Sequence, residues 1–183
     1  MEAFMTNLLK IKKMSKGFYL LFTILMAVIP LYYILFWVCI NHLPETLISN
    51  VAPESFLSFP LSIKLRLLGF TASLLPLSAL IYGVANLRRL FSFYKQGTIF
   101  SMEHARIFRK VAKALVLWCL FSILYEAAQS VLFSISNPPG SRVISVGVSS
   151  FEVTTLIVAG IALFTAWVMD EGRILSEENE LTV

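Results

Sequence analysis

The chain has 183 residues and a formal net charge of +4; by residue type 57% are apolar and only 14% are charged. Ordinary soluble domains carry about a quarter charged residues. The composition therefore nearly excludes a soluble globular domain and indicates an integral membrane protein.

The amino-terminal segment places Phe4, Leu8 and Ile11 at helical spacing among several lysines. This pattern fits a short helix that lies on the membrane surface. A frayed basic tail fits it equally well.

Four apolar stretches follow, of which 17–40, 67–87 and 153–169 are free of charged side chains. A hydrocarbon core of ~30 Å takes about 20 helical residues, so the first two are long enough to cross it and the third is at the short end. The remaining stretch, 114–133, contains Glu126 and Gln129 and needs polar partners to cross. The last helix is expected to start near Ser149 or Ser150, with the Glu152 carboxylate at the head-group level.

These stretches predict one all-α domain, residues 1–183, that forms a four-helix transmembrane bundle. The helices are expected at about 17–40, 67–94, 102–133 and 150–175. With the amino terminus in the cytoplasm, twelve Lys and Arg residues flank the helices on the inner side and three on the outer side. Because basic residues favour the cytoplasmic side, both termini are predicted to be cytoplasmic.

Small residues four positions apart mark one face on several helices. Such faces let membrane helices approach closely, so they are predicted to be contact faces. The pairs are Gly69 with Ser73, Ala79 with Gly83, and Ala162 with Ala166.

Glu126 is the most costly residue of the chain, because a carboxylate at membrane depth usually faces the bundle interior or a water-filled cavity. Gln129 follows three residues later on the same helical face. One hypothesis is an outward-facing polar pocket around Glu126 and Gln129, with Glu152, Lys64 and Arg66 at its rim. The other is that Glu126, protonated or hydrogen-bonded, ties its helix to the neighbouring helices.

No pattern in the sequence indicates an enzyme, so no catalytic residue and no cofactor are expected. His42 and His104 fall on opposite sides of the predicted bundle, far from any cluster of Cys or acidic residues, so no metal site is expected. Each histidine is predicted to be a solvated loop residue.

The connection between the second and third helices is predicted to face the cytoplasm. Gly97 fits a left-handed helix cap, and Ser101 fits the start of the next helix, with Glu103 in its first turn. Basic residues then recur at helical spacing, a stripe that usually contacts anionic lipid head groups. The stripe consists of Arg106, Arg109, Lys110 and Lys113.

The carboxyl-terminal segment has the opposite charge. Residues 170–183 carry a net charge of −4, and residues 88–113 carry +6. Docking of the acidic segment on the basic connection is electrostatically favoured and screened by salt. Alternatively, either segment recruits a cytoplasmic protein of opposite charge.

Two blocks of sequence resemble a known family. They are 94–101, Tyr-Lys-Gln-Gly-Thr-Ile-Phe-Ser, and 175–183, Leu-Ser-Glu-Glu-Asn-Glu-Leu-Thr-Val. Together with the four-span layout, they are similar to bacterial membrane proteins catalogued as domain of unknown function 2975. The resemblance implies a multi-pass protein of the bacterial inner membrane. It also implies a link to a small helix-turn-helix regulator, because members are often described as encoded next to one.

The preferred functional hypothesis is a membrane-side signalling or sequestering partner of a cytoplasmic protein, with membrane lipids around it and no direct contact with nucleic acid. Its candidate binding residues are Arg106, Arg109, Lys110, Glu177, Glu178, Glu180, Leu181, Thr182 and Val183. The alternative is a small transporter or immunity-type protein that uses the pocket of Glu126, Gln129 and Glu152.

Overall fold

The computed structural model describes residues 2–44, 60–98 and 101–180. They form four long helices: α1 (Glu2–Cys39), α2 (Ile63–Gln96), α3 (Met102–Ser134) and α4 (Ser150–Glu180). A short 3₁₀ turn, Ile40–His42, follows α1, and the described ranges contain no strand. The all-α prediction is confirmed.

Three helical segments are long and apolar enough to cross a membrane: Leu9–His42, Ile63–Gln96 and Ser150–Gly172. The helix that carries Glu126, α3, is as long as its neighbours but is not among these three. This difference agrees with the expectation that its polar residues need partners from the rest of the bundle.

The amino-terminal segment is not a separate surface helix or a frayed tail. It is continuous with α1, which runs from Glu2 without a break. The physical reason is local: the segment is rich in Lys, Met and Leu, all good helix formers, and contains no Pro or Gly before Gly17.

Consecutive helices pack side by side and antiparallel. The end of α1 meets the start of α2 where Trp37 lies over Gly69. The end of α2 meets the start of α3 in an apolar cluster of Leu90, Ile107 and Val111. The extensive contacts join α1 to α2, α2 to α3, and α3 to α4, and Trp37 also packs α1 against Phe133 of α3.

The predicted small-residue faces are contact faces. Gly69 and Ser73 are buried in α2, and a Cβ atom on Gly83 would lie 3.2 Å from the Cβ of Ala114 in α3. On α4, Ala166 is fully buried and Ala162 half-buried. The helices therefore approach closely where the sequence places its small side chains.

One side chain joins the end of α1 to the segment that leads into α2. Asn41 donates from Nδ2 to the carbonyl of Leu61 at 3.0 Å and accepts from the amide of Leu61 at 3.0 Å. Beside it, an apolar cluster contains Trp37, Ile40 and Phe133. This cluster packs α1 against α3, and the cluster around Ile107 packs α2 against α3 at the other end of the bundle.

The chain does not pass directly from α3 to α4. After Ser134 it turns at Gly140 and returns along α3 without regular secondary structure over residues 141–149. The helix α4 starts at Ser150, as predicted, but Phe151 packs edge-on against Trp118 in the middle of α3, with ring centroids 5.3 Å apart. The first turn of α4 thus lies beside the middle of α3 rather than level with its end.

Candidate functional site

On either side of residues 99–100, α2 ends and α3 begins where the sequence predicts. Gly97 adopts the left-handed conformation with φ 92°, and its amide donates to the carbonyl of Tyr94 at 3.0 Å. Ser101 occupies the cap position of α3, but its hydroxyl does not bond the helix backbone. It lies 2.6 Å from Nδ1 of His104 instead.

The prediction that His104 is a solvated loop residue is wrong, because its side chain is fully buried. The ring stacks on Tyr94, with centroids 4.9 Å apart, and packs against Phe93. Burial lowers the pKa of His104, while the carbonyls of Ser101 and Thr98 and the charge of Glu103 act in the opposite direction. The aromatic end of α2 and the Ser101 hydroxyl give the imidazole a site that helical spacing alone does not reveal. His42, by contrast, is exposed as predicted.

Two arginines of the predicted basic stripe are held in ion pairs within the bundle. Glu103 accepts from Arg106 at 2.9 Å and from Arg89 at 3.3 Å, which ties the end of α2 to the start of α3. Arg109 pairs with Asp170 of α4. Lys110 is half-buried and forms no ion pair within the described ranges. We call this part of the molecule, built from residues 88–113, the basic end.

Further cations of the basic end contact aromatic rings. Arg88 donates to the Tyr19 hydroxyl at 2.9 Å and lies over the same ring, 5.0 Å from its centroid. The Lys95 ammonium lies 4.5 Å from that centroid. These contacts join α1 to α2 and hold several positive charges in fixed positions.

The acidic end of the chain is helical. The helix α4 continues to Glu180, beyond its predicted end near residue 175. Of the predicted docking of the acidic segment on the basic end, the described residues show one ion pair, between Arg109 and Asp170. The next described side chains, Glu171 and Ile174, are exposed.

The predicted binding residues of the carboxyl-terminal segment lie at or beyond the end of the described chain. Leu181, Thr182 and Val183 lie outside the described residues. Glu177, Glu178 and Glu180 lie on the described helix, and their side chains lie outside the description. The backbone nevertheless puts all three glutamates on an extension of α4.

At the opposite end, Gln129 is buried and lines a cavity of about 140 Å³ between α1 and α3. Its other lining residues are aromatic: Tyr32, Tyr33, Phe36 and Tyr125. The Gln129 Nε2 group has no hydrogen-bond partner within the described part of the chain. The amide is therefore a donor that faces an aromatic cavity.

Glu126 does not line this cavity. An i, i+4 series of Glu126, Ser130 and Ser134 faces the returning segment: Ser130 Oγ accepts from the Ser145 amide at 2.9 Å, and Ser134 Oγ accepts from the Val143 amide at 3.2 Å. Glu126 Oε1 lies 3.6 Å from where a Cβ atom on Gly147 would be. We call this series the polar ladder. Four helical residues rise ~6 Å and two extended residues ~6.6 Å, so the two chains stay in step.

Glu152 caps its own helix. Its carboxylate accepts from the amide of Ser149 at 2.8 Å and from the Ser149 hydroxyl, while Ser149 Oγ accepts from the amide of Phe151 at 3.2 Å. This reciprocal arrangement is a capping box. The rim residue Arg66 is likewise engaged, since it donates to the carbonyls of Trp37 and Val38 at the end of α1.

A family model described as a protein of unknown function, DUF2975, matches residues 8–183. The chain belongs to the DUF2975 family. The match spans all four helices and confirms the resemblance inferred from the sequence. No curated protein matches the chain, and no solved structure matches it.

In this DUF2975 protein, the residues proposed from sequence for one outer pocket do not line one cavity, although the carboxylates of Glu126 and Glu152 lie close enough to interact electrostatically. Gln129 lines the aromatic cavity, Glu126 faces the returning segment, and Glu152 caps α4. The serines of the polar ladder were not singled out from the sequence. The sequence signal for them is the i, i+4 spacing of Ser130 and Ser134, which puts both hydroxyls on one helical face. A segment without a helical pattern follows within a few residues.

Proposed function

We propose that this protein is a non-catalytic protein of the bacterial inner membrane that binds a cytoplasmic protein with a basic surface and holds it at the membrane. The binding element is the acidic segment from Glu171 to Val183, of which residues 171–180 form the end of α4. The observation that carries the proposal is that α4 continues as a helix to Glu180, beyond its ion pair at Asp170.

The geometry of this extension supports the proposal. The ten helical residues 171–180 that follow Asp170 correspond to about 15 Å of helix. The segment from Glu171 to Val183 carries four glutamates and a single arginine, Arg173. An acidic helix attracts a positively charged protein surface at long range.

The ion pairs of the basic end favour the acidic segment, rather than the basic stripe, as the binding element. Arg106 and Arg109 already have carboxylate partners inside the bundle. A basic helix-turn-helix regulator, the kind of protein implied by the family resemblance, has the charge that the extension of α4 would bind. Held there, its DNA-binding face would be blocked.

A photo-crosslinking experiment in intact cells tests this function. A benzophenone amino acid replaces Ile174, which is exposed on the extension, and the matched control replaces Ile157, which is exposed in the spanning part of the same helix. We expect a soluble protein to be crosslinked from position 174 and not from position 157. Replacing Glu177, Glu178 and Glu180 with Gln should abolish the crosslink without reducing membrane insertion.

The proposal fails if position 174 captures no soluble protein, or if the capture survives the three substitutions. The topology has its own test, because the proposal needs the carboxyl terminus in the cytosol. A cysteine placed at Val183 should react with an impermeant maleimide only after the membrane is opened. Labelling in intact cells would place the extension outside and overturn the proposal.

The cavity at Gln129 supports a second candidate, transport or immunity through the outer part of the bundle. A buried amide without a partner, facing four aromatic rings, would bind a small molecule that carries a hydrogen-bond acceptor. Glu126 would act as a proton site nearby. Under this function, Gln129→Leu and Glu126→Gln abolish activity, whereas deletion of residues 177–183 is tolerated; the opposite pattern favours the partner function.

A further inference from the structure

A groove of about 290 Å³ runs between α2 and α3 and ends at a lysine. Its walls are small or apolar over most of its length. The lining residues are Ser78, Ala79, Tyr82, Lys113, Leu117 and Phe121. Lys113 and Tyr82 are exposed, and neither forms an ion pair or a side-chain hydrogen bond within the described residues.

The position of Lys113 sets the polarity of the groove. Arg106 lies seven residues earlier on the same face of α3, about 10 Å along the axis, and its carboxylate partner also binds Arg89 of α2. The groove therefore opens toward the basic end. Side chains lean toward the amino terminus of their helix, so Lys113 carries its ammonium in that direction, away from the apolar walls.

We propose that this groove binds one anionic phospholipid of the surrounding membrane. The phosphate lies between the Lys113 ammonium and the Tyr82 hydroxyl, and one acyl chain follows Ala79, Leu117 and Phe121. Three features support a lipid: an apolar channel beside the membrane-spanning helix α2, a single cation at its mouth, and a hydroxyl donor beside it. The charge of the basic end selects an anionic head group.

The larger groove between α1 and α2, about 380 Å³ in volume, is a weaker candidate for this lipid. It contains one cationic residue, Arg66. That guanidinium already donates to the carbonyls of Trp37 and Val38. Lys113 has no such partner among the described residues, so its charge is available to a phosphate.

Native mass spectrometry of the purified full chain measures the binding. The probes are phosphatidylglycerol and phosphatidylcholine with identical acyl chains, and the variants are Lys113→Gln and Lys16→Gln. Lys16 is an exposed lysine of α1 remote from the groove, so its substitution changes the net charge equally. We expect Lys113→Gln to weaken phosphatidylglycerol binding about fivefold, the equivalent of ~1 kcal/mol per basic residue near the membrane surface. Lys16→Gln should change it less than twofold.

A second variant tests the acyl-chain part of the site. Leu117→Trp fills the groove and should reduce the binding of both lipids, while the circular dichroism spectrum stays that of the helical protein. Equal losses for Lys113→Gln and Lys16→Gln would show diffuse attraction and overturn the proposal. Unchanged binding in Leu117→Trp would overturn it as well, as would a dimer whose formation excludes the lipid.

Discussion

Gly69 is the position where the structure tolerates a side chain least. A Cβ atom there would lie closer than 3.0 Å to three ring atoms of Trp37, Cη2, Cζ3 and Cζ2. Trp37 has little room to move away, because its ring stacks on Phe133 and its Nε1 donates to the Tyr125 hydroxyl at 3.1 Å. Gly69→Ala therefore displaces the residue that joins α1 to both α2 and α3.

The expected loss of stability follows from three contributions. Overpacking a close contact costs about 1–3 kcal/mol, and loss of the Trp37–Tyr125 hydrogen bond costs about 1 kcal/mol. The better helix propensity of Ala offsets up to ~1 kcal/mol. We expect Gly69→Ala to lower the free energy of unfolding by about 2 kcal/mol. Gly160→Ala is the matched control, because a Cβ atom on Gly160 meets nothing within 4 Å, and it should be neutral or slightly stabilising.

Unfolding in mixed micelles with increasing dodecyl sulfate, followed by far-ultraviolet circular dichroism, measures these differences. The double variant Gly69→Ala/Trp37→Phe adds a stringent test. Phe lacks the part of the indole that meets the new Cβ atom, so the effect of Gly69→Ala should fall below ~1 kcal/mol in this background. Equal stability of the Gly69→Ala and Gly160→Ala proteins would refute the close packing of α1 on α2.

Three further predictions concern polar contacts. Ser130→Ala leaves the Ser145 amide without its acceptor, which should cost about 1–3 kcal/mol and speed hydrogen exchange at that amide. Burial lowers the pKa of His104, so the imidazole binds a proton more readily when the α2–α3 connection opens. The free energy of unfolding should therefore be constant above about pH 6.5 and fall as the pH decreases below that value. His104→Asn should remove this pH dependence. Arg109→Ala should cost at most about 1 kcal/mol, since its pair with Asp170 is partly exposed.

Each of these predictions has a control. Thr165→Val removes a hydroxyl that bonds only a carbonyl of its own helix, and it should leave the Ser145 amide protected. His42→Asn changes an exposed histidine and should leave the pH dependence intact; a slope that persists in His104→Asn would assign it to another group. Reversing the charges of Arg109 and Asp170 together should recover most of the loss, and failure to do so would show that the loss arises elsewhere.

The four helices could be predicted because long apolar stretches and helix caps are local signals. Gly97 is an example: a left-handed cap after an aromatic, basic helix end needs no knowledge of the rest of the fold. The small residues at Gly69 and Ala166 also predicted contact faces, since small side chains permit close approach whatever the partner is.

The burial of His104 could not be predicted in the same way, because it depends on where two aromatic rings of another helix point. The setting of Glu126 depends on a segment 20 residues later in the chain that has no periodic pattern. A sequence pattern shows which face of α3 is polar. It does not show whether water, a ligand or a returning backbone occupies that face.

The polar ladder has a mechanical consequence for α4. The amides of Val143 and Ser145 are bonded to hydroxyls one helical turn apart, so the tether that precedes α4 is in register with α3. Moving the tether along α3 would break the hydrogen bonds of both amides, at a cost of up to about 1–3 kcal/mol each. The polar ladder thereby opposes sliding of the start of α4 along α3 and fixes its height in the bundle.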